Sequence, residues 1–464
     1  ELMPSLVGAE MCIRDRNATL SGVRVLCIED LIALPWGTMY LADLGADVIR
    51  AESHTRLRAR AWGPFPNGVA DPEKWWNQGG SHGLYYRNKK SLTLDLTKPE
   101  GIQLLKELVK VTDIVAENSR PGVMDRLGIG YDTLKQIKPD LIMIGSSGFG
   151  QTGDWNSYGA VARIIDGICG MSYTTGYKDD GPVRANPSYM DITTGWNMVL
   201  CSLLALHHRR KTGEGQYIDL SMYETGTTCI GPALLDEQVN HRKINRIGNG
   251  HSRLAPHGCY PCIGKDRWVV IAIETDIQWN SFKEVMGSPN WADDDWFASV
   301  AGRLKHSDKL DDLISKWTKD KADKELTETL QFQGIPCSSV YNARDLLTDD
   351  HLKSRKFFEP LERIQESDVG VKPYVGRSFK MSNTPAMKQS VATLGEHNRD
   401  ILVDLLGISD QEIDSLHEDQ IIGWKPIGPE AVTPGGISRV MVGNDAVSDP
   451  DFERVNELHA DPQE

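Results

Sequence analysis

The sequence predicts an α/β protein built on a doubly wound parallel sheet, with a separate α+β domain after it. Short apolar runs recur along the first half of the chain, as is typical of strands buried on both faces. Segments with a helical apolar period alternate with these runs, and that alternation indicates a parallel sheet covered by helices. After about residue 225 the alternation stops, which indicates a change of domain.

Six segments account for the predicted sheet. They are residues 23–28, 46–50, 91–96, 113–116, 141–144 and 216–222. Pro35 suits the first turn of a helix over 36–44, which Gly45 closes. A second amphipathic helix opens at residues 98–100. Ligands of such sheets bind at the carboxyl ends of the strands. The polar residues at those ends are Glu29, Asp30, Glu52, Ser53, Glu117, Asn118, Ser146 and Ser147.

The remaining segments differ in composition. Residues 226–370 combine a flexible loop at 248–253 with a hairpin-like stretch and helical segments, and we predict a small α+β domain there. Residues 371–389 hold Pro, Gly and Ser and are interpreted as a linker. The acidic tail over 424–464 is expected to be loosely ordered. Residues 1–16 have no apolar region for a secretory signal and no regular period, so we expect a disordered leader that does not look native.

Bulk properties exclude several classes of partner. The net charge of −14 argues against nucleic acid, because a protein that binds phosphate backbones needs a basic surface. The longest apolar run, residues 198–206, is well short of the about 20 residues that span a membrane. The cysteines are scattered, which indicates a reducing compartment and predicts a cytoplasmic protein. Cys259 and Cys262 form a CxxC pair without a second pair, so no metal site is predicted.

One glycine motif suggests a dinucleotide site. Residues 148–153 match GxGxxG and follow a predicted strand, which would fit an NAD-dependent dehydrogenase or another nucleotide binder. That motif requires a helix directly after it, so that the helix N-terminus can hold the pyrophosphate. Residues 154–159 are instead typical of a loop, and the motif follows a later strand than the first. NAD binding therefore stays a remote alternative.

Asp191 is the most informative single residue. It stands between a polar loop and an apolar segment of helical length that starts at Trp196. The simplest interpretation is an N-cap, whose side chain accepts a backbone N–H that the first helical turn leaves free. A second interpretation is a nucleophilic carboxylate held ionised at the positive end of a helix. The two interpretations are compatible, and the residues near Asp191 leave both open.

A series of motifs, taken in order, resembles a known family. They lie at residues 23–26, 41–52, 87–96, 117–128, 147–150, 211–216, 258–261 and 395–397. Together with Asp191 they resemble the class III (family III) CoA-transferases, the formyl-CoA and carnitine CoA-transferases of the CaiB/BaiF family. The resemblance runs from about residue 22 to residue 423.

The resemblance implies a CoA-transferase that moves CoA from an acyl-CoA thioester to a carboxylic acid. Asp191 stands where the family has its nucleophile. By that resemblance, Asp191 attacks the thioester to give a mixed anhydride, and the CoA thiolate returns to give an aspartyl-CoA thioester. An incoming carboxylate then reverses the sequence. CoA and acyl-CoA would be substrates, with no permanently bound cofactor.

The resemblance also implies an architecture. Residues 17–225 and 390–423 would build one Rossmann-like domain for catalysis and CoA binding, with residues 226–370 inserted into it. Members of the family form homodimers in which each chain is a ring and the two rings interlock.

The resemblance implies further site residues, which are those that stand at positions used by the family. Family positions along the CoA site match Lys89, Asn118 and Arg126. Developing oxyanions need donors already in place, and backbone N–H groups of glycine-rich turns can supply them. The candidates for this oxyanion and substrate loop are Ser147, Gly148, Gly248, Asn249 and Gly250.

Departures from the family bear on the substrate. Ile32 stands where the formyl-CoA enzymes carry glutamine, and Ser147 where they carry lysine, which argues against formate or oxalate. Trp75, Trp76 and Tyr85 suggest a larger or more apolar acyl group. The family also contains α-methylacyl-CoA racemases, whose proton-transfer positions fall at Val161 and Ala162. Neither side chain can transfer a proton, which favours transfer over racemisation. The sequence identifies neither the donor nor the acceptor.

Overall fold

The structure, a computed structural model, describes residues 18–184, 188–362, 367, 369–384 and 389–427. The expected leader over residues 1–16, and the acidic tail from residue 428 on, lie outside the described residues. Contacts divide the chain into two compact units. The first holds the described residues up to Met171, residues 188–232, and those from Asp350 on. The second holds Ser172–Arg184 and Ala233–Asp349.

The first unit is built on a six-stranded parallel sheet, as predicted. Its strands are β1 (Arg24–Ile28), β2 (Asp47–Glu52), β3 (Lys90–Thr93), β4 (Ile114–Glu117), β5 (Ile142–Ser147) and β6 (Tyr217–Ser221). The order across the sheet is β3-β2-β1-β4-β5-β6, with every neighbouring pair parallel. The chain therefore reverses its winding between β1 and β4, and such a switch point is where ligands bind in these sheets.

Helices cover both faces of this sheet. Those of the first unit are α1 (Ala33–Asp43), α2 (Trp75–Gln78), α3 (Gly80–Tyr85), α4 (Pro99–Val109), α5 (Val123–Arg126), α6 (Tyr131–Ile137), α7 (Ala162–Ile168), α9 (Tyr189–Thr212), α10 (Met222–Cys229), α17 (Asp350–Ser354), α18 (Asn398–Leu406) and α19 (Asp410–Glu418). Two short helices, α8 (Met171–Thr174) and α11 (Gly231–Asn240), lie at the boundaries between the units.

Alternation along each strand divides the core of this unit in two. Val25 and Cys27 of β1 pack with Met198 of α9 on one face of the sheet. Leu26, between them, packs with Leu105 of α4 on the other face. Because successive side chains of a strand point to opposite faces, an uninterrupted apolar strand supplies both cores at once.

A hairpin completes the first unit. Its strands β10 (Phe358–Glu362) and β11 (Val371–Val375) pair antiparallel. We expected residues 350–370 in the small domain and a linker from residue 371. The structure instead has β11 at the start of that segment, and contacts place the hairpin with the first unit. One long-range contact holds the hairpin there, because the Arg87 guanidinium donates to the Val375 carbonyl (2.6 Å) and to the buried Asp43 (2.7 Å).

The second unit is α+β, with an antiparallel sheet. Its strands β7 (His257–Pro261), β8 (Trp268–Ala272) and β9 (Cys337–Ser339) are in the order β7-β8-β9. Its helices are α12 (Asp276–Val285), α13 (Val300–Lys305), α14 (Ser307–Thr318), α15 (Asp323–Phe332) and α16 (Ala343–Leu347). Phe282, Phe297 and Leu310 are buried in a core of its own. No helix in the described part of the chain is long and apolar enough to cross a membrane.

Candidate active site

Asp191 lies in the first turn of α9, the longest helix of the described chain. The helix begins at Tyr189, so Asp191 is its third residue and Ser188 is the N-cap. The N-cap interpretation of Asp191 is therefore wrong, because the N-cap is Ser188, three residues earlier. The first backbone N–H groups of a helix have no partner within it, and the helix dipole is positive there, so a carboxylate in this turn is stabilised as the anion.

Two glycines fix α9 against α1. A Cβ atom added to Gly37 of α1 would lie 2.7 Å from the Gly195 carbonyl oxygen and 2.7 Å from Met198 Sδ. A Cβ atom added to Gly195 would lie 2.8 Å from the Ala33 carbonyl oxygen and 2.8 Å from Trp36 Cδ1. Gly195 is one helical turn after Asp191 and therefore on the same face of α9. The close crossing places Asp191 beside the N-terminal half of α1.

Aromatic side chains surround this crossing. The Trp36 ring lies 6.0 Å from the Tyr85 ring and 5.4 Å from the Tyr40 ring, and Tyr40 lies 4.2 Å from Trp196. Burial raises the pKa of the Tyr85 hydroxyl, and the negative charge of Asp191 raises it further. The Tyr85 phenol is therefore neutral and close enough to Asp191 to be influenced by it.

Trp75 and Trp76 lie elsewhere. Their rings pack against each other at 5.8 Å, and Trp75 is buried with Leu57 and Phe65 in a small core. Of the three aromatic residues named from the sequence, Tyr85 is thus the one that the structure associates with Asp191.

Three buried polar atoms near the crossing and at the end of β5 lack a hydrogen-bond partner among the described residues. They are Trp36 Nε1, Thr194 Oγ1 and Ser147 Oγ. Buried polar groups are normally paired, so unpaired ones need an explanation such as a ligand. Trp36 and Thr194 were not predicted from the sequence, because only the packing of α1 on α9 identifies them.

Ser147 ends β5, where the strand-end rule placed it. The next residue, Gly148, tolerates no side chain, since a Cβ atom there would overlap that of Ala160. Its carbonyl accepts a hydrogen bond from the Tyr223 amide (2.9 Å). After this GxGxxG segment come bends and turns, and α7 begins only at Ala162. The helix that a dinucleotide motif requires directly after it is therefore not there.

Lys89 is built into the fold. Its ammonium group is buried and donates to Glu29 Oε1 (2.6 Å), Thr38 Oγ1 (2.7 Å) and the Pro35 carbonyl (3.0 Å). An ammonium has three donors, so these bonds use all of them. A direct contact of Lys89 with CoA stays a prediction that would require breaking one of these bonds.

Asn118 and Arg126 differ in their freedom to bind a ligand. Asn118 Oδ1 accepts from the Asp30 amide (2.9 Å), and its Nδ2 donates to the Asp30 carbonyl (2.8 Å), so it ties the ends of β1 and β4 together. Arg126 is the last residue of α5 and is exposed. No hydrogen bond or ion pair joins its guanidinium to the described residues, which leaves it available for an anion.

The loop at residues 248–250 belongs to the second unit. The Gly248 amide donates to the Gly176 carbonyl (2.9 Å), and the Gly250 amide donates to the Ile247 carbonyl (3.1 Å). Asn249 Nδ2 donates to the Tyr177 hydroxyl (3.1 Å). The loop lines a cavity of about 660 Å³ within that unit. Two of its three backbone N–H groups are therefore already used.

The carboxyl end of β4 carries an unusual carboxyl group. Glu117 ends β4, as the strand-end rule indicated, and is only 3% exposed. Burial raises the pKa of Glu117 to about 7. It lines a cavity of about 260 Å³ with Gln151 and Tyr217. Glu117 is two residues after Val115 on β4, so both side chains point to the same face of the sheet. Val115 packs on the α4 side, and Glu117 therefore lies on that face, opposite α9.

No group of three or more His, Cys, Asp or Glu side chains in the described ranges is placed to hold a metal ion. Apart from that finding, the residues at α9 place a carboxylate, Asp191, near two neutral donors, the Trp36 indole and the Tyr85 phenol.

Comparison with known proteins gives a consistent result. The model of CoA-transferase family III matches residues 20–398. The succinyl-CoA–D-citramalate CoA-transferase of Chloroflexus aurantiacus is 32% identical over 87% of this chain and 98% of that protein. The succinate–glutarate CoA-transferase of Agrobacterium fabrum is 30% identical over 84% of this chain and 96% of that protein. Among solved structures, a CaiB/BaiF family protein from Brucella suis has a TM-score of 0.76 at 28% identity, covering 84% of this chain and 100% of that one.

Proposed function

The chain belongs to CoA-transferase family III and is a CoA-transferase, and from that membership we propose that Asp191 is the residue that carries the acyl group and CoA in turn. The observation that supports this role is the position of Asp191 in the first turn of α9, at the positive end of the helix. A carboxylate is a weak nucleophile, so it must be kept ionised and aligned, and the packing of α9 on α1 holds it in one place.

The reaction proceeds through two covalent states of Asp191. A carboxylate oxygen attacks the thioester carbonyl, the new C–O bond gives a mixed anhydride, and the C–S bond breaks to release CoA thiolate. The thiolate attacks the aspartyl carbonyl, which releases the first acid and leaves an aspartyl-CoA thioester. The acceptor carboxylate attacks that thioester, and the same steps in reverse give the new acyl-CoA and free Asp191.

We propose a dicarboxylic acid as the acceptor, with succinyl-CoA as the donor to test first. Two of the relatives are named for the dicarboxylic acids citramalate and glutarate. Ile32 and Ser147, which replace glutamine and lysine of the formyl-CoA enzymes, argue against the smaller formate and oxalate. The two positions argue against racemisation, because Val161, the N-cap of α7, and Ala162, its first residue, cannot transfer protons.

For the CoA end, the exposed Arg126 is the proposed phosphate contact. Lys89 donates to Glu29 and Asn118 donates to Asp30, so both residues hold the loop after β1. Any contribution of the 248–250 loop comes from the second unit, with the Asn249 amide as its remaining backbone donor. We place the enzyme in the cytoplasm, since the cysteines of the described residues are all free thiols.

We propose a homodimer as the working form. Exposed apolar side chains lie on α9 (Leu200, Leu203 and Leu204) and on α7 with its N-cap (Ile164, Ile168 and Val161). Several large apolar side chains exposed on one helix are typical of an interaction face. The family resemblance implies that the partner is a second copy of this chain, with the two chains forming interlocked rings.

A screen by mass spectrometry tests the function. Succinyl-CoA is offered with D-citramalate, L-malate, glutarate and oxalate, and new CoA thioesters are identified by mass. We expect transfer to at least one of the larger dicarboxylates and little to oxalate. Asp191→Asn should lower turnover by at least about 1,000-fold. Asp404→Asn, which alters an exposed carboxylate of α18, should leave it unchanged. Full turnover by Asp191→Asn would contradict the assignment.

A further inference from the structure

The indole N–H of Trp36 is a buried donor with no acceptor among the described residues. Its position is defined by the α1–α9 crossing. Trp36 Cδ1, the atom bonded to Nε1, lies 2.8 Å from the point where a Gly195 Cβ would be, one turn along the helix from Asp191. Leaving a buried N–H unpaired is unfavourable, so its acceptor is expected to arrive with a ligand.

The Tyr85 hydroxyl is a second donor at the same place. Its ring lies 6.0 Å from the Trp36 ring, and it is half-buried. It makes no hydrogen bond to the described part of the chain. Since burial and the charge of Asp191 both raise its pKa, the phenol keeps its proton near neutral pH and can donate it to an acceptor.

We propose that Trp36 Nε1–H and the Tyr85 hydroxyl donate hydrogen bonds to the acyl oxygen that becomes negative at Asp191, an inference that rests on the proposed role of Asp191. When the carboxylate attacks, the carbonyl π electrons move to the acyl oxygen and the C–O bond forms. When the intermediate collapses, those electrons re-form the carbonyl and the thiolate leaves with the C–S pair. Both donors keep their protons throughout, and they stabilise only the intermediate charge.

Two of the backbone donors expected from the sequence are less available. In the 248–250 loop, the Gly248 and Gly250 amides already donate within the second unit. Trp36 and Tyr85 lie in the same unit as Asp191. Donors fixed in advance need no reorganisation when the charge develops, and a rigid indole held between two helices meets that requirement.

Conservative variants remove each donor: Tyr85→Phe keeps the same ring, and Trp36→Phe keeps an aromatic ring that is smaller than the indole. Trp36→Phe and Tyr85→Phe are each expected to lower kcat about 100-fold or more, because one oxyanion donor contributes about 10²–10³ in kcat. KM should change by less than a factor of about 3, since the interaction is made in the transition state. Because Phe is smaller than Trp, the melting temperature of Trp36→Phe should fall by a few degrees at most, and by about as much as that of a Trp→Phe change at a neighbouring packed position.

The matched control is Trp196→Phe, the same substitution on α9 at a residue that packs on Tyr40 beside Trp36. It should keep wild-type kcat. Wild-type kcat for Trp36→Phe and Tyr85→Phe, with Asp191→Asn inactive, would overturn this inference alone and leave the proposed function standing. Equal losses for Trp36→Phe and Trp196→Phe would overturn it in favour of general packing. An active Asp191→Asn would overturn the proposed function and this inference with it.

Discussion

Glu117 shows how one buried side chain couples the fold to pH. The Ser119 amide donates to its Oε2 (2.7 Å), and the Gln151 amide group approaches Oε1 at 3.5 Å. Burial outweighs these contacts and raises the pKa to about 7, and the charge of Asp125 adds to the shift. Gly145 makes room for this arrangement, because a Cβ atom there would lie 2.9 Å from Glu117 Oε1 and 3.1 Å from Gln151 Nε2.

Glu117 is therefore expected to make the protein less stable as pH rises. A carboxyl with a raised folded-state pKa contributes stability that is fully present below about pH 4.5 and lost as pH rises through about 7. The loss corresponds to about 3 kcal/mol for a shift of this size. Glu117→Gln should unfold at higher urea than the wild type at pH 8 and differ little at pH 4.5.

The measurement is urea unfolding of both proteins across that pH range. Glu328→Gln removes an exposed carboxyl of α15 and serves as the control, with wild-type pH dependence expected. A Glu117→Gln variant whose stability followed the wild type from pH 4.5 to 8 would contradict the account of this carboxyl.

Among the elements, the crossing of α1 and α9 depends on two glycines. Gly37→Ala should destabilise the protein by about 1–3 kcal/mol, because the added methyl group meets backbone and Met198 in a packed contact. Gly231→Ala is the matched control, since Gly231 also lies in a helix, α11, away from the α1–α9 crossing, and nothing lies near its added Cβ. That change should stabilise by up to about 1 kcal/mol through helix propensity.

The melting temperature and kcat are measured for both variants to test this prediction. Gly37→Ala should also lower kcat, because it separates the helix that carries Asp191 from the helix that carries Trp36. A Gly37→Ala variant at least as stable to heat as the control variant would contradict the close packing of α1 on α9.

The elements themselves were largely predictable. All six predicted parallel strands are present. The central strands β1, β4 and β5 were the easiest to recognise, because a strand buried on both faces is largely a run of apolar residues and needs no tertiary information. The start of α9 was misplaced, because Asp and Ser are both favoured capping residues and composition does not choose between Ser188 and Asp191. β11 was interpreted as a linker, since its pairing with β10 and the contact of Arg87 with Val375 are properties of the fold.

At the scale of the whole molecule, the site was only partly predictable. Asp191 was singled out by its resemblance to the family, since its own neighbours allowed an N-cap as readily as a nucleophile. Trp36 could not be recognised as a donor, because its importance depends on a helix contact between segments far apart in the sequence. Lys89 was predicted from its position, and the structure adds that its ammonium is fully paired with Glu29, Thr38 and Pro35.

The proposed homodimer gives the last prediction. Leu200 and Leu204 are 54% and 58% exposed, on the face of α9 away from its buried residues, so a second chain would remove this apolar surface from water. Leu200→Glu combined with Leu204→Glu should give the 51.6 kDa monomer in light scattering after gel filtration, where the wild type gives twice that mass. Ile277→Glu, at a 79% exposed position of the second unit, should stay dimeric. A monomeric wild type would contradict the homodimer, and a dimeric double variant would place the interface away from α9.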